Sequence, residues 1–332
     1  MRELTVLDCT FRDGGYYTDW QFDADLVRDY VEVIDENAVD VVELGYVRLG
    51  EDARGSFRDL PAGLDAHLGS DSRTRFAVMV DANSFTERSP QGVVHELKAI
   101  VSASSLPITV IRVAVNYAKL AGAVATIRAL VDADFQVCVN LMQIDVADAA
   151  AEQACFDGLA QLPDVACVYL ADSLGSMRPE RVTELFRRFA THSRHPLGFH
   201  AHDNQGLALA NSLAAIEAGA SWIDATMAGM GRGAGNAKTE QLLGLLRNRE
   251  PGTELLAFVA RYFYPLLQIH GWGASVYYAI AGQQYIHPTY VQKLEESPVG
   301  VDEKLEVLEF LGRAGAAAFD AQLMHEAVGA HA

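Results

Sequence analysis

Eight short apolar runs alternating with stretches of helical apolar spacing constrain this chain's fold more than any other feature. The runs are Leu4–Asp8, Val39–Leu44, Arg75–Val80, Ile108–Val113, Phe135–Leu141, Ala166–Leu170, Leu197–His202 and Trp222–Thr226. The helical stretches are Ala24–Glu36, Gln91–Ser102, Ala121–Asp132, Ala147–Gln161, Pro179–Ala190, Leu207–Ala218 and Ala237–Arg247. Ser89-Pro90 and Arg178-Pro179 open two of them, because proline at the first helical position forfeits no hydrogen bond, and Gly219 closes a third. Gly50–Gly69 is the least regular segment. Alternation at roughly 30 residues per unit demands parallel strands joined by right-handed crossovers. Eight units in about 250 residues predict a closed (β/α)8 barrel. An open doubly wound sheet would want a glycine-rich phosphate turn after the first strand. The chain has Arg12-Asp13-Gly14-Gly15-Tyr16 there, a turn that is acidic and aromatic instead.

Near Pro251 the alternation stops. Leu255–Gln268 reads as helix, Gly271–Pro288 is rich in glycine, tyrosine and tryptophan, and Glu303–Ala332 reads as two more helices. The expected organisation is a catalytic barrel over residues 1–250 and a helical extension over 251–332, serving as a lid or as a contact in a homodimer. The formal net charge of −18 argues against a nucleic-acid partner, which needs clustered cations. The charged N-terminal stretch lacks the apolar core of a signal peptide, and no run approaches the roughly 20 apolar residues of a membrane span. The four cysteines, Cys9, Cys138, Cys155 and Cys167, have no CxxC spacing and read as small buried thiols, which predicts a reduced, cytoplasmic protein.

Barrel enzymes carry their chemistry at the C-terminal ends of the strands. Polar residues recur at those ends: Asp8 and Arg12-Asp13, Glu43, Asp81, Arg112, Asn140, Asp172-Ser173, and His200-Ala201-His202-Asp203-Asn204. Residues two apart on a strand point the same way, so His200 and His202 project together. Two convergent imidazoles and a carboxylate, Asp13, leave positions open on a metal, as a substrate-binding catalytic ion requires. Nitrogen and oxygen ligands without thiolates point to Mn²⁺ or Mg²⁺, with Co²⁺ or Zn²⁺ as further options. Arg12, beside the ligand, is placed either to stabilise an oxyanion or to form a salt bridge with Glu43 or Asp8. The loop Met227–Asn236 holds four glycines. It is either a phosphate cradle or a tight closure that brings Asn236 towards the metal.

Asp8-Cys-Thr-Phe-Arg-Asp-Gly14 resembles the D-x-T-x-R-D-G signature of the DRE-TIM metallolyase superfamily. His200-Ala-His202-Asp-Asn204 and Gly229-Met-Gly-Arg-Gly-Ala-Gly-Asn236 match its second and third signatures, in the same order. The resemblance spans about Leu4 to Leu246 and is nearest to proteins of the 4-hydroxy-2-oxovalerate aldolase type. It implies a divalent-metal-dependent lyase that makes or breaks a C–C bond of a 2-oxo acid through a pyruvate-type enolate held at the metal. By position Asp13, His200 and His202 would be ligands, with Asn236 a weaker one, and Arg12 would face the enolate oxygen. The turn containing Asp172 and Ser173, with Asn140, would bind the substrate carboxylate. That aldolase type carries a histidine shortly after Arg-Asp-Gly as its base; this chain has Gly15-Tyr16-Tyr17. Tyr16 and Tyr17 are therefore the expected proton carriers, with His287 and Tyr290 of the C-terminal region as further acid/base candidates.

The alternative activity is an acyl-CoA-dependent Claisen synthase of the alkylmalate type, and a third reading is a barrel that only binds ligand and metal. A Schiff-base aldolase needs a buried strand lysine. The five lysines, Lys98, Lys119, Lys238, Lys293 and Lys304, all fall in expected helices or loops.

Overall fold

The computed structural model describes residues 4–329, apart from 37–38, 51–52, 62, 69–71 and 247–250. Eight parallel strands form the barrel: β1 (Thr5–Asp8), β2 (Val41–Arg48), β3 (Arg75–Asp81), β4 (Ile108–Asn116), β5 (Gln136–Met142), β6 (Cys167–Asp172), β7 (Leu197–Ala201) and β8 (Trp222–Ala225). Each pairs with its sequence neighbours, and β1 closes the ring against both β8 and β2, with Leu7 opposite Val41 and Asp224. A two-residue antiparallel strand, Arg54–Gly55, adds to the end of β2. It lies in the irregular Gly50–Gly69 segment, of which 51–52, 62 and 69 are outside the described residues.

The period-two alternation of the strands builds the barrel interior in tiers. Leu7, Val41, Ala77, Val110, Cys138, Cys167 and Trp222 form an apolar plug. Two residues along, Glu43, Arg112, Tyr169 and Asp224 form a polar tier, all buried. Gly198 makes room there: a Cβ on it would lie 2.7 Å from Cys167 Sγ and 2.9 Å from the Tyr169 ring. The Tyr169 ring supports the Arg112 guanidinium at 4.4 Å. Above them Met79, Asp81, Ala114, Met142 and Ala171 open onto a cavity.

Outside the sheet, helices bury one stripe each. In Ala24–Glu36 the buried stripe is Leu26, Val27, Tyr30, Val31 and Ile34, spaced for one helical face. Asp8 ties three elements to the end of β1. It accepts from the Thr10 backbone, the Tyr30 hydroxyl at 2.7 Å and the Thr239 hydroxyl at 2.5 Å.

The residues expected as a turn after β1 instead form a helix, Thr10–Thr18. Gly14 and Gly15 hide it from a propensity reading, but both are required by packing. A Cβ on Gly14 would meet Met230 Sδ at 2.8 Å, and one on Gly15 would meet the Trp20 ring at 2.1 Å. The helix ends where Asp19 and Trp20 turn left-handed.

After the barrel, Thr253–His270 is one helical run with a π turn at Val259–Phe263. Its Leu255, Phe258 and Phe263 join the main core. Two helices there were not anticipated, Val276–Gln283 and Pro288–Glu296, followed by the expected pair Val301–Ala314 and Ala321–Gly329. These four share a separate core of Tyr278, Ile286, Tyr290, Leu294, Leu308 and Leu311. The expected boundary at residue 250, the end of the helix at Arg247 and the end of the last one at Ala332 lie outside the described residues. Among the described residues no helix is long and apolar enough to cross a membrane.

Arg112 lies between Glu43 at 2.7 Å and Asp224 at 2.5 Å, all three fully buried. Arg112→Met removes the cation between the two carboxylates: Glu43 keeps Arg12, but Asp224 is left buried without a guanidinium. The expected loss is roughly 3–5 kcal/mol, read from the urea midpoint; an unchanged midpoint contradicts this account.

Candidate active site

The polar tier continues upward as one chain of charges. Glu43 Oε2 accepts from Arg112 Nη1 at 2.7 Å and from Arg12 Nε at 2.8 Å. Arg12 Nη1 then donates to Asp13 Oδ1 at 2.6 Å. In the other direction Asp224 Oδ2 binds Arg112 and lies 3.0 Å from His200 Nδ1. Arg12 therefore pairs with Glu43 and Asp13, not with Asp8.

Asp13, His200 and His202 each present a ligand atom, and these atoms lie within 4.8 Å of one another. With Nδ1 of His200 held by Asp224, its Nε2 is the free donor. The two imidazole rings stand 5.0 Å apart and nearly perpendicular. Burial opposes ionisation of Asp13, but the Arg12 guanidinium and the two imidazoles outweigh it and hold its carboxyl well below the usual range. Burial, with neighbouring His200, Arg232 and Arg12, holds His202 down to about 3 against the pull of Asp13, so its imidazole is neutral. An ionised carboxylate and a neutral imidazole are the forms that bind a metal.

Asn236 adds a fourth group. It pairs with His202 through an isolated bridge, and its Nδ2 donates to Asp13 Oδ2 at 2.5 Å. Its Oδ1 is buried with no hydrogen-bond partner, an unsatisfied oxygen that a hard cation would satisfy. The residues present thus fit a divalent ion. A Cβ on Gly231 would lie 2.1 Å from Asn236 Nδ2 and 2.8 Å from Asp13 Oδ2, so the glycine loop packs directly against this set. A second grouping, Cys9, His200 and Asp224, fits a metal less well. Burial pushes the Cys9 thiol up, its Sγ donates to Ala225 O, and Asp224 is already engaged by Arg112.

The set opens into a cavity of about 400 Å³ lined by Arg12, Asp13, Tyr16, Tyr46, Asp81, Asn140, Gln143, Ser173, His200, His202 and Arg232. His287, at the start of the Pro288–Glu296 helix, and Ala318 and Phe319, between the last two helices, line it from the C-terminal region. A neighbouring cleft of about 590 Å³ shares Tyr16, Tyr46 and Asp81 with it.

The structure brings Arg12, Asp13, Tyr16, Asn140, Ser173, His200 and His202 to the cavity wall, with Asn236 against Asp13. Tyr17 lies elsewhere: its hydroxyl donates to Gly233 O at 3.0 Å, and burial, with Glu295 nearby, pushes it up to about 12. Asp172 turns away from the cavity, its carboxylate accepting the backbone N–H groups of Ser176 and Met177. Ser173 Oγ accepts the Gln143 N–H at 2.9 Å. Tyr290 sits in the separate C-terminal core, its hydroxyl accepting the Asp320 N–H at 2.8 Å.

Sequence reasoning gave no role to Tyr46, Gln143, Arg232 or Asp224. Asp224 was readable as a polar residue two positions from Trp222 on an inward face. Tyr46 was not, because the β2–β3 register slips between Glu43 and Tyr46.

Residues 3–256 match the HMGL-like family. Among curated relatives, 4-hydroxy-2-oxovalerate aldolase of Roseiflexus castenholzii is 32% identical over 78% of this chain and 76% of its own. The protein of that name from Brevibacillus brevis is 30% identical over 74% and 70%. Among solved structures, the N-terminal domain of a Bacteroides vulgatus protein assigned as an aldolase superposes with a TM-score of 0.76 at 31% identity, over 88% of this chain and 96% of that one. The carboxyl transferase domain of Rhizobium etli pyruvate carboxylase, at 14% identity, TM-score 0.71, and 99% and 60% coverage, shares the fold. The chain belongs to the HMGL-like family, as a divalent-metal-dependent carbon–carbon lyase of the aldolase type.

Proposed function

We propose that the protein cleaves and forms the C3–C4 bond of a 4-hydroxy-2-oxo acid, with Asp13, His200 and His202 holding Mn²⁺ or Mg²⁺ and Asn236 as a weaker oxygen donor. One observation carries this reading: the three ligand groups and Arg12 face the same 400 Å³ cavity. A divalent cation there supplies Lewis acidity at the 2-oxo group. In cleavage the 4-hydroxyl gives up its proton and the C3–C4 bond breaks. Its electron pair passes to the C2–C3 unit as an enolate, and the former carbinol carbon leaves as an aldehyde. A proton added at C3 then completes the 2-oxo acid.

Arg12 spends Nε on Glu43 and Nη1 on Asp13, which leaves Nη2 for the enolate oxygen. Asn140 and Ser173 bind the 2-oxo acid carboxylate from the β5–β6 side. Tyr16 relays the 4-hydroxyl proton: its phenolic oxygen takes that proton as its own passes to water. It is 41% exposed, so its proton exchanges with water, and its hydroxyl lies 3.4 Å from that of Tyr46. His287 has a different task. Its Nδ1 accepts the Thr289 N–H, and burial, with Arg232 nearby, holds it down to about 4, so the neutral ring carries its proton on Nε2. It can donate a hydrogen bond to the aldehyde oxygen but cannot take a proton there.

The four free, buried thiols support a reducing, cytoplasmic setting. Exposed Leu256, Tyr264 and Ile269 on the Thr253–His270 run support a homodimer, which light scattering would test.

Two measurements test the reading. The Mn²⁺-loaded protein should exchange the methyl protons of pyruvate with deuterium, and Tyr16→Phe should slow cleavage of a 4-hydroxy-2-oxo acid by roughly a hundredfold or more. Lack of exchange, with thiol release from acetyl-CoA and a 2-oxo acid, would overturn it in favour of a Claisen synthase. Asp224→Asn should weaken Mn²⁺ binding by roughly 10- to 100-fold, followed by calorimetry on protein whose melting curve shows it folded. Unaltered affinity would rule out orientation of His200 by Asp224.

A further inference from the structure

Three arginines lie in or beneath the cavity, and they differ in how they are balanced. Arg12 is held by Asp13 and Glu43, and Arg112 by Glu43 and Asp224. Arg232, carried by the glycine loop after β8, has no carboxylate partner among the described residues. Its Nε is buried without a hydrogen bond, and its Cζ lies 5.6 Å from the centre of the Tyr16 ring. A buried donor left unpaired costs the folded protein stability. The cost is recovered if an anion arrives with the substrate and accepts from it.

The loop keeps this cation in place. Gly231 packs against Asn236 and Asp13, Gly233 has φ +67°, and the Arg232 carbonyl accepts the Gly235 N–H at 3.3 Å. A guanidinium on a fixed loop is organised before the ligand binds. Its location separates it from the 2-oxo acid end. Asn140 is on β5 and Ser173 follows β6, whereas Arg232 is on the loop after β8 and lies over Tyr16 of the helix after β1, on other strands of the ring. Tyr16 and His287, the groups given to the aldehyde oxygen and its proton, are its neighbours. On a chain of net charge −18, an anionic molecule is repelled at long range and needs a local cation to be retained.

We infer that Arg232 recognises an anionic substituent, a carboxylate or a phosphate, on the aldehyde that adds to the enolate. This rests on the aldolase reading above. The aldehyde partner is then an acidic one, and short neutral aldehydes are poor substrates.

The test uses Mn²⁺-loaded enzyme, pyruvate and three aldehydes: succinic semialdehyde, glyceraldehyde 3-phosphate and propanal. The wild type should prefer one of the two acidic aldehydes to propanal, and which one tells carboxylate from phosphate. Arg232→Met should collapse that kcat/KM ratio by roughly ten- to hundredfold, and Arg232→Lys should restore part of it. Absence of any wild-type preference for an acidic aldehyde overturns the proposal. So does a rise in the KM for pyruvate in deuterium exchange with Arg232→Met, since the arginine would then be reading the 2-oxo acid itself. Wild-type protein that fails to exchange pyruvate at all overturns the aldolase reading and this one with it, an outcome distinct from intact exchange without acidic preference.

Discussion

Everything at this site depends on one line of buried charges: Asp13, Arg12, Glu43, Arg112, Asp224 and then His200. Each ion is costly to remove from water, and each is tolerable only because the next has the opposite sign. The line draws on the Thr10–Thr18 helix and on β2, β4, β8 and β7, so it crosses the barrel rather than following the chain. It begins at one proposed metal ligand and ends at another. The protein cannot alter the barrel's polar tier without moving His200, nor reposition Arg12 without unbalancing Glu43. Apart from the imidazoles, three carboxylates and two guanidiniums leave one net negative charge in a water-poor interior. A divalent cation is the species such a place is suited to receive.

Much of this is legible in the sequence. The eight strands and their order follow from apolar alternation, because a parallel barrel strand has to satisfy both the core outside it and the tier inside it. His200 and His202 follow from a spacing of two at the end of β7, and Asp13 follows from its place after the first strand. What escaped was set by packing and hydrogen bonds that periodicity does not report. Two adjacent glycines disguise the Thr10–Thr18 helix, because Gly14 is needed for packing against Met230 of the loop after β8 and Gly15 for packing against the Trp20 ring. Asp172 looks like a substrate group at the end of β6, yet its carboxylate is consumed by the backbone of the following turn. Tyr290 looks like an acid near the site, but its helix turns it into a core of its own.

Where the expected histidine would stand the chain has tyrosines, and the C-terminal helices bring to the cavity an imidazole other than His200 and His202. His287 reaches the cavity from the start of Pro288–Glu296 and is fixed there by capping its own helix. That capping bond dictates the tautomer, so the replacement is not like for like. An imidazole that has committed Nδ1 to a backbone N–H can donate to an oxygen but cannot act as the base, and proton removal has to come from a group on the barrel side.

On the proposed function, barrel and C-terminal roof divide the reaction between them. The groups beneath the cavity are paired with one another and leave little freedom for substrate selection. The roof, tied down where Gln143 Nε2 donates to Ala317 O at 2.7 Å and where Gly282 abuts Gly175 without room for a side chain, contributes His287, Ala318 and Phe319. Between the two stands Arg232, whose charge no carboxylate of the described protein answers. A site whose other cations are already balanced can gain most from a charge carried in by the substrate at that one point, so discrimination among aldehydes is concentrated where the glycine loop meets the roof.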